Sequence, residues 1–221
     1  MRKILPILLF ISFGCSAQTI HLSVHRTVKL RNVLSLPTKI AYFGDSFTAP
    51  NGLTYPTGVS NDYPAIPKTN YAIGGTRVCY LSYAPAGNND LIDKYQTELD
   101  SGYRGGMVSF MYGTNDESVG GLVNATWKET YKSIIKKFID AGWPKNRLLI
   151  MAIPCATIGG KPLSRQYSAE IAKELGIMFY DVYKRFIDTG VNSTLFLEGD
   201  THPNAAGQAV IAAGYETFLL R

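Results

Sequence analysis

The chain has 221 residues, 46% of them hydrophobic and 18% charged, which suits one domain with a complete apolar core. Its formal charge of +5 includes no dense basic run. The pair Lys136-Lys137 reads as the solvated face of a helix, so no nucleic-acid partner is expected.

Met1-Arg2-Lys3 is basic, Ile4 to Phe13 is almost unbroken apolar sequence, and Gly14-Cys15-Ser16-Ala17 is small. That is the layout of a secretory signal peptide, and the apolar run is too short to span a bilayer. Residues 1–17 are therefore expected to be a leader cut after Ala17, leaving a secreted or periplasmic protein that begins at Gln18. The alternative is a lipid anchor at Cys15, which would place the protein on a membrane. No later stretch is long and apolar enough to cross one. Residues 18–38 read as a polar extension and 39–221 as the functional domain.

From residue 39 strand-like and helix-like segments alternate. Strands are predicted at 39–43, around 69–72, at Met107 to Tyr112, at Leu148 to Ile153 and at Ile177 to Val182; the third and fourth are nearly continuous apolar runs, as in strands covered on both faces. Residues 47–68, with Pro50, Gly52, Pro56, Gly58, Pro64 and Pro67, read as a long irregular loop. Helical stripes are formed by Leu91, Ile92, Tyr95 and Leu99, and by Trp127, Tyr131, Ile134, Ile135 and Phe138, the latter capped by Asn124 and ended by Gly142. A third stripe, Ile171, Ala172 and Leu175, stops at Gly176, and Ala205 to Leu220 forms the last helix. The alternation implies an α/β fold, a parallel sheet wrapped by helices. Outside the leader the cysteines are Cys79 and Cys155, whose pairing the sequence leaves open.

The chemistry concentrates at strand ends. Ser46 follows the run Ile40-Ala41-Tyr42-Phe43-Gly44-Asp45, just beyond a buried strand, where open α/β sheets bind ligands. Serine is a weak nucleophile unless a base takes its proton and donors stabilise the oxyanion. His202, in Asp200-Thr201-His202-Pro203-Asn204, is the base expected; the other histidines, His21 and His25, lie in the irregular lead-in. Donors are available in the backbone N–H groups of Ser46 and Gly75 and in the side chain of Asn115. Asp45 and Asp116 each flank one of these residues and are read as bracing turns through backbone N–H groups. No Gly-x-Ser-x-Gly elbow occurs, which argues against the α/β-hydrolase fold.

Gly44-Asp45-Ser46-Phe47, Asn70 through Gly75, Gly113-Thr114-Asn115-Asp116 and His202-Pro203 together resemble the four sequence blocks of the SGNH (GDSL-type) hydrolases, in order and over residues 39–221. The resemblance implies a flavodoxin-like three-layer α/β/α sandwich with a five-stranded parallel sheet, and ester hydrolysis through an acyl-serine without metal or cofactor. It assigns Ser46 as nucleophile, His202 as base, and Ser46, Gly75 and Asn115 as the oxyanion hole. Gly75 is preferred to Gly74 because the family's glycine stands five residues after the asparagine that matches Asn70.

The family's orienting aspartate stands three positions before its histidine, where this chain has Gly199. Asp200 is assigned that task, with Glu198 or a Ser–His dyad as alternatives. The proline-rich stretch after Ser46 takes the place of a helix often found there. The expected activity is removal of acetyl or other short acyl groups from carbohydrate, the partner being a small acyl ester or acylated saccharide. A lipase or lysophospholipase of the same family, and a non-catalytic carbohydrate-binding protein that kept the fold, are the alternatives.

Overall fold

The structure is a computed structural model that describes residues 36–50, 54–79, 90–118, 122–155, 162–189, 192–196 and 202–221. All of them fall within the compact unit Leu34–Arg221. The predicted leader, with Cys15, and nearly all of the predicted extension lie outside the described residues.

Five parallel strands form one sheet: β1 (Ile40–Gly44), β2 (Lys68–Asn70), β3 (Met107–Met111), β4 (Leu148–Ala152) and β5 (Met178–Asp181). Their spatial order is β2-β1-β3-β4-β5. Register is continuous across the centre, with Tyr42 opposite both Asn70 and Ser109, and Gly44 opposite Met111. β1, β3 and β4 are buried at every position. Side chains alternate across a strand, so each of these strands feeds two cores.

On one face Ile40, Tyr42, Met107, Met111, Leu149 and Met151 meet α1 (Tyr55–Asp62), α6 (Val182–Asp188) and α7 (Ala205–Leu219). On the other Ala41, Phe43, Val108, Phe110, Leu148 and Ile150 meet α2 (Leu91–Asp100), α4 (Ala125–Asp140) and α5 (Pro162–Leu175). This is the expected helix–sheet–helix sandwich. The strands coincide with the predicted segments to within two residues at each end.

Helix ends follow the sequence signals. Asn124 Oδ1 accepts from Trp127 N at 3.1 Å, and Gly142 closes α4 at φ +92°, a conformation that glycine adopts without strain. The predicted irregular loop at 47–68 is corrected by α1, which occupies eight of its residues. Pro56 sits in the first helical turn, where its missing N–H costs nothing, and Gly58 lets α1 pack closely on Ala212 of α7. A helix therefore does follow the Ser46 segment. The short α3 (Thr114–Ser118) and α6 are further additions to the sequence reading. Cys79 and Cys155 both stand as thiols. Among the described residues no helix is long and apolar enough to cross a membrane.

Candidate active site

β1 ends at Gly44, and the chain turns back at once. A Cβ on Gly44 would fall 2.3 Å from Thr48 Oγ1 and 3.0 Å from the Met111 carbonyl, so only glycine permits so tight a bend. The Asp45 carbonyl accepts from the N–H groups of Thr48 and Ala49 at 3.0 and 2.9 Å, and Asp45 Oδ1 accepts from Phe47 N at 3.1 Å. None of these acceptors takes the Ser46 N–H. Ser46 stands at the tip of the turn, half-buried.

His202 arrives from the far end of the chain. Its Nε2 lies 2.8 Å from Ser46 Oγ, and the edge of its ring meets Phe47 with ring centroids 5.2 Å apart at 80°. The following residues fix that position. Pro203 bridges to Phe196, and Asn204 N donates to the Leu195 carbonyl at 2.9 Å. Asn204 Nδ2 donates to the carbonyls of Thr194 and Phe196, while its Oδ1 caps α7 through Gly207 N at 3.1 Å. The assigned acid Asp200, its alternative Glu198, and His21 and His25 lie outside the described residues.

The glycine block is stitched to the same turn. Asn70 Nδ2 donates to the Thr48 carbonyl at 2.7 Å and Asn70 Oδ1 accepts from Ala72 N at 3.0 Å. Ile73 N and Thr76 Oγ1 both donate to the Gly44 carbonyl, at 3.2 and 3.3 Å. Gly75 is exposed at φ +80°; Gly74 does not share that left-handed backbone. Asn115, in the first turn of α3, donates from Nδ2 to the Thr76 carbonyl at 2.9 Å, which places its amide one residue from Gly75. Primary amides carry two N–H groups, so one remains for another acceptor. Ser46, Gly75, Asn115 and His202 thus come from four segments to the carboxyl-terminal edge of β1 and β3.

Two buried carboxylic acids lie beneath. Asp116 Oδ1 accepts from Val78 N at 3.0 Å and from Trp127 Nε1 at 2.8 Å, so it joins α3 to the segment after Gly75 and to α4. Burial raises the pKa of Asp45 to about 7, the nearby Asp116 adding to the shift, and the Phe47 N–H opposes it. Burial likewise raises Asp116 to about 6. Both serve backbone geometry, as the sequence reading expected.

Sequence reasoning missed several supports. Glu117 accepts from Leu163 N and Ser164 N at 3.0 Å each and caps α5 from α3. Asp90 Oδ1 accepts from Arg77 N at 2.8 Å, and Arg77 Nε approaches the Asn115 carbonyl at 3.5 Å. Glu117 directly follows the Gly113-Thr114-Asn115-Asp116 block, and no local sequence signal marks its bond to a helix some 46 residues further on. Among the described residues no three His, Cys, Asp or Glu side chains are grouped so as to hold a metal ion.

The model of the GDSL-like Lipase/Acylhydrolase family matches residues 42–210. No curated protein sequence matches the chain. Among solved structures, a catalytic mutant of Axe2, an acetylxylan esterase from Geobacillus stearothermophilus, is 15% identical with a TM-score of 0.64, covering 85% of this chain and 96% of that one. LAE5, an alpha/beta hydrolase enzyme from the metagenome of Lake Arreo, is 15% identical with a TM-score of 0.64 and covers 85% and 97%. The psychrotrophic esterase EstA from Pseudoalteromonas sp. is 18% identical with a TM-score of 0.62 and covers 82% and 96%. At these identities the structural likeness bears on the fold.

Proposed function

The chain belongs to the GDSL-like Lipase/Acylhydrolase family and is a serine carboxylic ester hydrolase, and from that premise we propose that it removes acetyl or other short acyl groups from carbohydrate through an acyl-Ser46 intermediate. The observation that carries the mechanism is the 2.8 Å contact between His202 Nε2 and Ser46 Oγ. In the resting state the hydroxyl donates to the neutral imidazole. As Oγ attacks the ester carbonyl, its proton passes to Nε2 and the carbonyl oxygen becomes an anion. The N–H groups of Ser46 and Gly75 and Nδ2 of Asn115 receive that charge. Collapse of the tetrahedral species breaks the ester bond, and the leaving sugar hydroxyl takes the proton from His202. Water then attacks the acyl-serine, giving its proton to His202. Collapse of this second tetrahedral species breaks the acyl–Oγ bond and releases the carboxylic acid, and His202 returns its proton to Oγ, which restores Ser46.

Asp200 is assigned the task of orienting the imidazole and stabilising its charged form, because it lies two residues before His202 in a polar turn. The carbohydrate side is supported by the likeness to an acetylxylan esterase and by the leader-like N-terminus, which fits work outside the cytoplasm. We extend the proposal to cleavage after Ala17 and export as a soluble protein; N-terminal sequencing that finds a lipid-modified Cys15 would overturn that part.

The test uses p-nitrophenyl acetate. Wild type should turn it over, while Ser46→Ala and His202→Ala should lose roughly 10,000-fold or more of kcat. Asp200→Ala should lose far more activity than Glu198→Ala; equal retention by both would support the dyad. Acetate release from acetylated xylo-oligosaccharides should exceed fatty-acid release from long-chain acyl esters and lysophospholipids. The reverse preference would make the enzyme a lipase.

A further inference from the structure

Asn115, the side-chain donor of the proposed oxyanion hole, stands on α3, a helix of only five residues. So short a helix does not persist in water on its own, so contacts with the rest of the molecule must fix the direction of its amide. One tie is Asp116, which joins α3 to Val78 and Trp127. The other runs to α5, and a single side chain makes it.

Glu117 sends its carboxylate to the start of α5. Its Oε1 accepts from Leu163 N at 3.0 Å, and its Oε2 accepts from Ser164 N at 3.0 Å and from Ser164 Oγ at 2.5 Å. Pro162, the first residue of α5, has no N–H, so Leu163 and Ser164 supply the leading N–H groups, which have no acceptor within the helix. The helix dipole also favours a carboxylate there. Ser164 is buried, and it occupies the space beside Gly113, where an added Cβ would fall 2.6 Å from Ser164 Cβ. Gly113, at φ +130°, is the residue before α3. The first turn of α5 thus holds α3 at its start through Gly113 and near its end through Glu117. Helix α5 has anchorage of its own, since Ile171 and Ala172 are buried in the core. In α3 the buried residues are Thr114 and Asp116, with no apolar stripe. The carboxylate therefore fixes α3 on α5 rather than the reverse.

We infer that Glu117 is a positioning residue for ester hydrolysis: it anchors α3 to α5 so that Asn115 Nδ2 is aimed in advance at the carbonyl oxygen that becomes negative. The inference rests on the assignment of Asn115 to the oxyanion hole and adds a residue to that reading. Glu117 acts through Asn115 and needs no contact with the substrate. Donors aimed beforehand cost no reorganisation at the moment of reaction. A displacement of about 1 Å can cost about 100-fold in rate.

The test is a double-mutant cycle on p-nitrophenyl acetate, run well below the thermal midpoint of every variant. Asn115→Ala should lower kcat by roughly 100- to 1,000-fold. Glu117→Ala should lower kcat by about tenfold or more while KM changes by less than about twofold, because the aim of the amide matters only in the transition state. In the Asn115→Ala background the same substitution should change kcat by less than about twofold, since no amide is left to aim. A smaller folded fraction would lower kcat by the same factor in both backgrounds, so the cycle separates positioning from stability. Ser164→Ala removes the Oγ bond and leaves both N–H bonds, so it should give a smaller loss with the same dependence on Asn115. With Glu117→Gln, which keeps one acceptor oxygen, it carries the comparison if Glu117→Ala does not fold. Full activity of the Glu117 variants, or a loss that persists in the Asn115→Ala background, would overturn the inference and leave Asn115 in the oxyanion hole. An Asn115→Ala variant as active as wild type would instead overturn the oxyanion assignment, and the inference with it.

Discussion

At the residue scale, the acid beside Ser46 shows how far identity fixes role. Asp45 is completely enclosed and yet ionisable, with a pKa raised from the ordinary 3.8 to about 7. A folded-state pKa above the unfolded value means that the native state holds the proton more tightly. Its contribution to stability is fully present below pH 3.8 and is lost as pH rises through about 7. Asp45→Asn keeps an oxygen for the Phe47 N–H and removes the titration. The thermal midpoint of wild type relative to this variant should therefore fall as pH is raised through that window and become flat above it. Calorimetric scans at a series of pH values check this; a constant difference between the two proteins across the window would refute it. Asp45 and Asp116 could be read from sequence as braces because a short acid beside a turn has backbone N–H groups within reach. Asp200 could not be settled in the same way. Orienting an imidazole depends on which carboxylate the loop turns towards Nδ1, and residue spacing alone leaves Glu198 and Asp200 both within range.

At the element scale, the strands were legible because each of β1, β3 and β4 is buried on both sides and its apolar run is uninterrupted. Helix α1 was not legible. Its eight residues carry Pro56, Gly58 and few large apolar side chains, so neither periodicity nor propensity marks it, and it is held by packing on α7 and by the bond from Tyr55 N to Gln208 Oε1 at 2.8 Å. The same tertiary dependence governs the junction that presents His202. Gly207 lies in the first turns of α7, where alanine ordinarily improves a helix by about 0.8–1 kcal/mol. Here its Cβ would sit 2.2 Å from the Leu195 carbonyl and 2.9 Å from Pro203 Cβ. The carbonyl is backbone and is already bound to Asn204 N, so it cannot give way cheaply. Overpacking of this kind typically costs about 1–3 kcal/mol, which outweighs the propensity gain. Gly207→Ala should lower unfolding free energy by a net amount of up to about 2 kcal/mol. It should also depress kcat on p-nitrophenyl acetate, because the displaced segment carries His202. A stabilised, fully active variant in denaturant titrations would show that the junction yields more easily than its contacts indicate.

At the scale of the whole molecule, the site exists because the winding of the sheet reverses between β1 and its two neighbours. The order β2-β1-β3-β4-β5 opens a crevice at the carboxyl ends of β1 and β3, where Ser46 and Asn115 follow their strands. Alternating strands and helices in the sequence imply that architecture, whereas the meeting of Ser46 with His202 depends on α7 returning across the sheet. Both cores share the strands: Trp127 and Trp143 are buried on the α4 side, and Ile211, Tyr215, Phe218 and Leu219 anchor α7 on the other. Both helix layers rest on β1, β3 and β4, whose alternate apolar side chains enter the two cores, so the layers are coupled through the same strands. Unfolding in guanidinium should therefore be a single cooperative transition. Tryptophan fluorescence, which reports the α4 face, and esterase activity, which requires His202 from the α7 face, should share one midpoint. Activity lost at a clearly lower denaturant concentration would mean instead that the Pro203–Gly207 junction opens as a unit of its own. In that event the 2.8 Å contact between His202 and Ser46 would be the weakest link in the molecule rather than a consequence of its core.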